Sequence, residues 1–160
     1  MASLPQLIEE DISELDRGLN DLLLKAEANN ALLIDKGGFL ITHCGDPHSC
    51  DTTTLAALAA ASYAATEGIA SLVGEPNFTS VYQQGGIFSL LVENVDENCL
   101  LAIVFKAQIS VGAVKYFATT TMKQIAKQLK KARKRSPEAA IDLSMLNLAD
   151  TRPLFSKKTI

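Results

Sequence analysis

The 160-residue chain has no tryptophan, three cysteines and five prolines, and neither sign of charge dominates: 15 Lys and Arg against 18 Asp and Glu leave a formal net charge of −3. Each shortage excludes something. A small, odd number of cysteines does not make a disulfide framework and fits reduced thiols in the cytoplasm. A chain this close to neutral, with a pI of about 5.4, has no bulk attraction for nucleic acid. No unbroken apolar run approaches the roughly 18 residues of a membrane span. The opening residues 1–6, Met-Ala-Ser-Leu-Pro-Gln, lack the basic n-region and apolar h-region of a secretory signal. The expectation is a cytoplasmic protein with neither a membrane nor a nucleic acid as partner. The basic stretch 123–135 reads as a solvated helix face rather than an anion-binding one.

Catalytic grammar is missing as well. There is no Gly-x-Ser-x-Gly elbow, no phosphate-binding Gly-x-x-x-x-Gly-Lys-Ser/Thr loop and no Gly-x-Gly-x-x-Gly. Neither histidine stands where it could serve a Ser or Cys nucleophile. The pairs Gly37-Gly38 and Gly85-Gly86 separate short apolar runs and read as hairpin turns. His43, Cys44, His48 and Cys50 form the only concentration of metal-capable side chains, but their spacing matches no usual zinc pattern. On a strand, His43 and Cys44 point to opposite faces. No metal and no cofactor are expected, and a zinc or redox sensor built on this loop is the weakest of the functional readings. Glu9, Glu10, Asp11 and Glu14 complement a helix dipole and have nothing to bury them, so they do not read as a catalytic pair. With 48% hydrophobic and 21% charged residues the chain still has an ordinary core. Weight therefore moves toward a binding or regulatory module.

What the chain does have is an alanine-rich helix over residues 51–74. Asp51 is a good N-cap, and Gly74 with Pro76 is a stop signal. At about 100° per residue, Leu55, Leu58, Ser62, Ala65, Ile69 and Leu72 fall on one side, the expected core stripe. Ala57, Ala61, Ala64 and Gly68 line a second side, where the near-absence of side chains lets another backbone come close. Two further helices are expected, over 7–28 and 110–135, the second carrying Lys123, Lys127, Lys130, Lys131, Arg133, Lys134 and Arg135 beside the acidic first one. Strands are expected over 31–35, 39–43, 78–84, 87–92 and 99–105. The order helix, two strands, helix, three strands, helix gives an α/β layered domain. Its five-stranded antiparallel sheet lies between one central helix and a pair of terminal helices. The domain is expected over 5–135, with a tail over 136–160 whose scattered apolar residues suit a short docking segment.

Several strings, in this order, resemble the roadblock / dynein-light-chain domain family and within it the bacterial MglB-type branch. They are Leu33-Ile34-Asp35-Lys36-Gly37-Gly38, Asp51-Thr52-Thr53-Thr54-Leu55-Ala56-Ala57-Leu58, Leu72-Val73-Gly74-Glu75, and Phe105 followed by Ser110-Val111-Gly112-Ala113-Val114. The resemblance covers residues 7–135 and implies a profilin- or longin-like fold. It also implies homo- or heterodimers formed through central helices and third strands, and a Ras-like small GTPase of the MglA type as partner. Such a regulator has no catalytic site of its own. Carried over by position, Ala64 and Gly68 match the family's contact helix, and Ala57 and Ala61 extend that row. Ala60, Phe78, Val81 and Tyr82 match the dimer surface. A dimeric scaffold or motor-adaptor light chain without effect on GTP hydrolysis is the alternative.

Overall fold

The computed structural model describes residues 4–135. The expectation for the tail over 136–160 therefore lies outside the described residues. The chain runs α1 (Glu9–Ala26), β1 (Asn30–Asp35), β2 (Leu40–Gly45), α2 (Thr52–Val73), β3 (Ser80–Gln84), β4 (Phe88–Asn94), β5 (Cys99–Lys106) and α3 (Val111–Arg133). The five strands form one sheet in the order β2-β1-β5-β4-β3, every pair antiparallel. The most apolar run, β5, is the middle strand, as a run buried on both faces should be. The edges are β2 and β3.

Side-chain alternation sends Ala31, Leu33, Leu91, Leu101, Ile103 and Phe105 to one face, where they pack with α1 and α3. It sends Leu32, Ile34, Val92, Leu100 and Ala102 to the other, where they pack under α2. The layered architecture expected from the sequence is the one observed. The third strand is shorter than expected: Phe78 precedes it.

Two helix boundaries rest on the chemistry that marked them. The Asp51 carboxylate accepts from the Thr54 N–H at 3.1 Å and from the Thr54 hydroxyl at 2.6 Å. Gly74 closes α2 with φ at +75°, its N–H donating to the Ala70 carbonyl.

The first helix corrects one expectation. Asp11 is fully buried. Its carboxylate accepts from the Ile8 N–H at 2.9 Å, from Gln128 at 2.6 Å and from both Arg135 guanidinium nitrogens, one of them at 2.6 Å. Arg135 first, and then the Ile8 and Gln128 hydrogen bonds, hold this carboxyl well below the usual carboxylate range against the desolvation that opposes them. The acidic start of α1 is thus clamped to the basic end of α3, and what buries Asp11 arrives 124 residues later in the chain. Lys131 lies 3.7 Å from Glu10 along the same seam. Gly18 is buried where α1 meets α3, its missing Cβ facing Gln124 and Thr121.

Candidate functional site

The central helix lies on the sheet with the opposite rotation from the one its leucines suggest. The residues it buries are Ala56, Ala59, Ala60, Tyr63 and Ala70. Leu58 is 63% exposed, Ile69 50% and Leu72 87%, and Ala65 is exposed as well. Leu55 and Ser62 are half-buried, with Leu55 packed at the edge of the core beneath. The expected stripe of Leu55, Leu58, Ser62, Ala65, Ile69 and Leu72 is therefore not the core stripe. The floor explains the reversal. Leu32, Ile34, Val92 and Leu100 already fill that face of the sheet, and a helix can lie close over large side chains only by presenting small ones. The signal that points to the true inner face is Tyr63, the helix's one aromatic residue. It lies in register with Ala56, Ala59 and Ala60, and its hydroxyl reaches the Phe78 carbonyl at 2.9 Å.

The small-residue row survives this rotation in part. Ala57, Ala61, Ala64 and Gly68 are all exposed. The row is not uniformly open: a Cβ on Gly38, whose φ is +97°, would meet the Ala57 Cα at 3.3 Å, so the β1–β2 turn crowds this end of the helix. At Gly68 a Cβ would meet nothing within 4 Å. Ala60 is corrected: at 4% exposure it sits in the core beneath the helix and offers no surface to another chain.

Along the Ser62 flank of α2, away from Ala57 and the β1–β2 turn, runs edge strand β3. Val81 packs toward α2, while Tyr82 lies on the opposite face and stacks on Phe105 with ring centroids 6.3 Å apart. Phe78 is half-buried, and Gln83 donates to the Ser62 hydroxyl at 3.3 Å, tying β3 to the helix. Where α2 starts, it leaves a cleft of about 450 Å³ floored by Leu55, Phe88, Leu90 and Val104. Asn30, whose side-chain amide donates to the Ser49 hydroxyl at 2.5 Å, closes one end. Exposed Leu58, Ile69, Leu72 and Val73 and the open small-residue row make the outer side of α2 apolar, and the unpaired edge of β3 and this cleft lie along its Ser62 and Leu55 flank. By length and composition α2 is also long and apolar enough to cross a membrane, which no unbroken run revealed.

Such a surface recognises apolar surface; exposed Glu67, beside Gly68, is the one acidic residue of α2. In the stretch with both histidines the side chains diverge. Cys44 donates to the Asp16 carbonyl at 3.6 Å, toward α1, while His43 pairs with Leu32 on the α2 face. Among the described residues no group of three or more His, Cys, Asp or Glu side chains could hold a metal. Burial, reinforced by Asp16, raises the Cys44 pKa, and burial with Asp96 and Asp35 pushes Cys99 up to about 12. Both thiols are thereby held away from the reactive thiolate.

A helix-covered antiparallel sheet whose third strand is an edge, joined to a central helix with a bare outer face, is the architecture of a known domain, and its signature matches residues 15–105. The chain belongs to the Roadblock/LC7 domain family. This is a regulatory domain family, and the resemblance read from the strings around Gly37 and Asp51 is correct. Among solved structures, the chain is similar to Myxococcus xanthus MglB, with 29% identity and a TM-score of 0.75 over 82% of this chain and 98% of that one. An MglB described as having a tetrameric arrangement matches at 30% identity and a TM-score of 0.76, over 82% and 99%. The gliding protein MglB of Thermus thermophilus matches at 28% and 0.73, over 82% and 99%. Acanthamoeba castellanii profilin, at 14% identity and a TM-score of 0.51, shares the fold alone. Among curated proteins none matches in sequence. The roadblock match ends within β5, so α3 and its clamp on Asp11 lie beyond it.

Proposed function

We propose that this roadblock protein is a dimeric, non-enzymatic regulator of a small Ras-like GTPase of the MglA type, acting in the cytoplasm. The single observation that carries the reading is the outer face of α2. Leu58, Ile69, Leu72 and Val73 are 50–87% exposed on a helix whose inner face is already satisfied. A contiguous apolar patch of this kind marks an interaction site. The likeness to MglB supplies the class of partner.

The surface has room for two neighbours. A second copy meets it through the β3 edge, with Val81 and Tyr82 at the pairing strand, and through α2. The Leu55–Phe88–Leu90–Val104 cleft suits the second copy's Ile69, Leu72 and Val73. The GTPase then approaches across Ala61, Ala64 and Gly68 of the paired helices. A protein docked there acts by ordering the GTPase's own catalytic groups, because Ala61, Ala64 and Gly68 themselves carry neither a base nor a cation.

Gly68→Arg is the decisive variant. Nothing lies within 4 Å of a Cβ added at Gly68 in the isolated protomer, and replacing a mid-helix glycine favours helix by about 0.5–1 kcal/mol. The fold is kept while the surface is blocked. The expected result is a folded protein that no longer stimulates GTP hydrolysis by an MglA-type GTPase and no longer binds its GTP-loaded form. Unchanged stimulation by Gly68→Arg would overturn this placement. Binding without any effect on hydrolysis by the wild-type protein would favour the scaffold reading.

A further inference from the structure

On the side of the molecule away from α2, a trough of about 780 Å³ runs between α1 and α3. Leu15, Gly18 and Ile125 contribute to its lining, and Lys127, Lys130, Lys131 and Lys134 stand along it. The acidic residues that α1 brings to the trough are already neutralised on their own helix. Glu14 pairs with Arg17, and Asp21 with Lys25 at 2.7 Å. Lys131 has Glu10 at 3.7 Å. Lys127, Lys130 and Lys134 are exposed and make no ion pair among the described residues. The trough therefore has a net positive wall over a partly apolar lining, and its complement is a segment both acidic and apolar.

The chain supplies one. Residues 138–151 carry Glu138, Asp142 and Asp150 with no Lys or Arg, interleaved with Ile141, Leu143, Met145, Leu146 and Leu148. This stretch begins three residues after Arg135, which Asp11 fixes just past the end of α3, and Lys134, the residue before Arg135, already lines the trough. From Lys134 back to Gln124 the trough extends about 15 Å at the α-helical rise, a span within reach of 13 residues. A tether of this length sets an effective concentration in the millimolar range, so weak pairing suffices where a free partner would need more contact.

We propose that residues 138–150 of the chain itself seat in the α1–α3 trough. Their carboxylates lie against Lys127, Lys130 and Lys134, and their apolar side chains lie over the lysine stems. Exposed pairs of this kind are individually weak and screened by salt, so the seat opens and closes with ionic strength.

Zero-length carbodiimide crosslinking of the full chain at low salt, read by mass spectrometry, tests this. The expected links join Glu138, Asp142 or Asp150 to Lys127, Lys130 or Lys134 within one chain. The triple variant Lys127→Glu/Lys130→Glu/Lys134→Glu should lower protection of the trough by about fivefold, the combined effect of three exposed pairs. Combining it with Glu138→Lys/Asp142→Lys/Asp150→Lys should restore both links and protection. Links only to lysines elsewhere would overturn the proposal. So would links found only between chains in a mixed-isotope sample, which would make a second copy the occupant. Amide exchange over residues 14–21 and 124–134 that is identical with and without residues 136–160 would overturn it as well.

Discussion

On one face of the sheet, α1 and α3 lay Leu15, Leu19, Leu22, Ile125 and Leu129 against Leu33, Leu101, Ile103 and Phe105, and every one of these side chains is at most 1% exposed. On the other face, α2 lays Ala56, Ala59, Ala60 and Tyr63 against Leu32, Ile34 and Leu100 and holds Leu58, Ile69, Leu72 and Val73 outward. Two helices with interlocking leucines close the first face, and their charged outer surfaces suit water. A single helix closes the second by close approach, and its outer surface remains apolar. The same sheet is thus finished on one side and left open for a partner on the other. Stability should accordingly be concentrated on the α1–α3 side and binding on the α2 side, and substitutions can separate the two.

The largest effect is expected from paired leucine truncations. Leu19→Ala removes a fully buried side chain from the closed face and should cost about 3–4 kcal/mol, including the cavity left behind. Leu72→Ala removes one that is 87% exposed and should cost within about 0.5 kcal/mol in the folded protomer. Urea unfolding of both variants at protein concentrations low enough to leave the protomers dissociated keeps association out of the measurement. At higher concentration Leu72→Ala should instead weaken self-association. Equal costs in the dissociated protomers would break the distinction between the faces.

A second, smaller effect is expected at the clamp. Asp11 is buried and paired, whereas α2 has no acidic residue in its first turn and no basic residue in its last. Asp11→Asn should lose about 2–3 kcal/mol at neutral pH, because Arg135 is left partly buried without its partner charge. The folded pKa of Asp11 lies below its unfolded value. Its contribution is therefore complete above the unfolded pKa of about 3.9 and is lost as pH falls through and below that value. Wild-type and Asp11→Asn stabilities should converge between about pH 5 and pH 2. A constant gap across that range would mean that the loss is one of packing rather than of charge.

The closed face was also the more legible one. The spacing of Leu7, Ile8, Ile12, Leu15, Leu19, Leu22, Leu23 and Ala26 in the first helical stretch and of Val114, Phe117, Thr121, Ile125, Leu129 and Ala132 in the last reads as two apolar stripes; Leu15, Leu19, Leu22, Ala26, Val114, Thr121, Ile125, Leu129 and Ala132 are buried, Leu7, Ile12, Leu23 and Phe117 are half-buried, and Ile8 is exposed. Asp51, Gly74 and the glycine turns set element boundaries because their chemistry is local. The rotation of α2 was not legible in this way. A helix apolar on both sides has no unique inner face, and large residues outweigh alanine in any count of hydrophobicity. Only the shape of the sheet beneath decides that Ala56, Ala59 and Ala60 go inward, and Ala60 was misplaced for that reason. Asp11 was misread because its partner is remote in sequence. Ala61, Ala64 and Gly68 were singled out for their smallness, and they are exposed. Leu58, Ile69 and Leu72, which make the same surface apolar, were assigned to the core.

The smallest expected effect concerns the one place where the closed face meets the interface edge. Glu93 lies opposite Ser80 of β3 and is only 7% exposed. Burial raises its pKa, and the nearby Lys115 only partly offsets this. Lys115 is itself engaged, donating to the Ser80 hydroxyl at 2.9 Å. A folded pKa above the unfolded one means that the ionised carboxylate opposes folding: the penalty is absent below the unfolded value of about 4.3 and is reached in full as pH rises through the folded value. Glu93→Gln should therefore stabilise the protomer at neutral pH by on the order of 0.5 kcal/mol and flatten the decline in stability above pH 4 shown by the wild type. A loss of stability in Glu93→Gln would instead mean that attraction to Lys115 outweighs desolvation, making this carboxylate part of what fastens β3 to α3. A gain would mean that the chain keeps a buried charge beside its edge strand at a cost to the protomer. That cost would mark β3 as the element on which the stability of the closed face and the needs of the open one conflict.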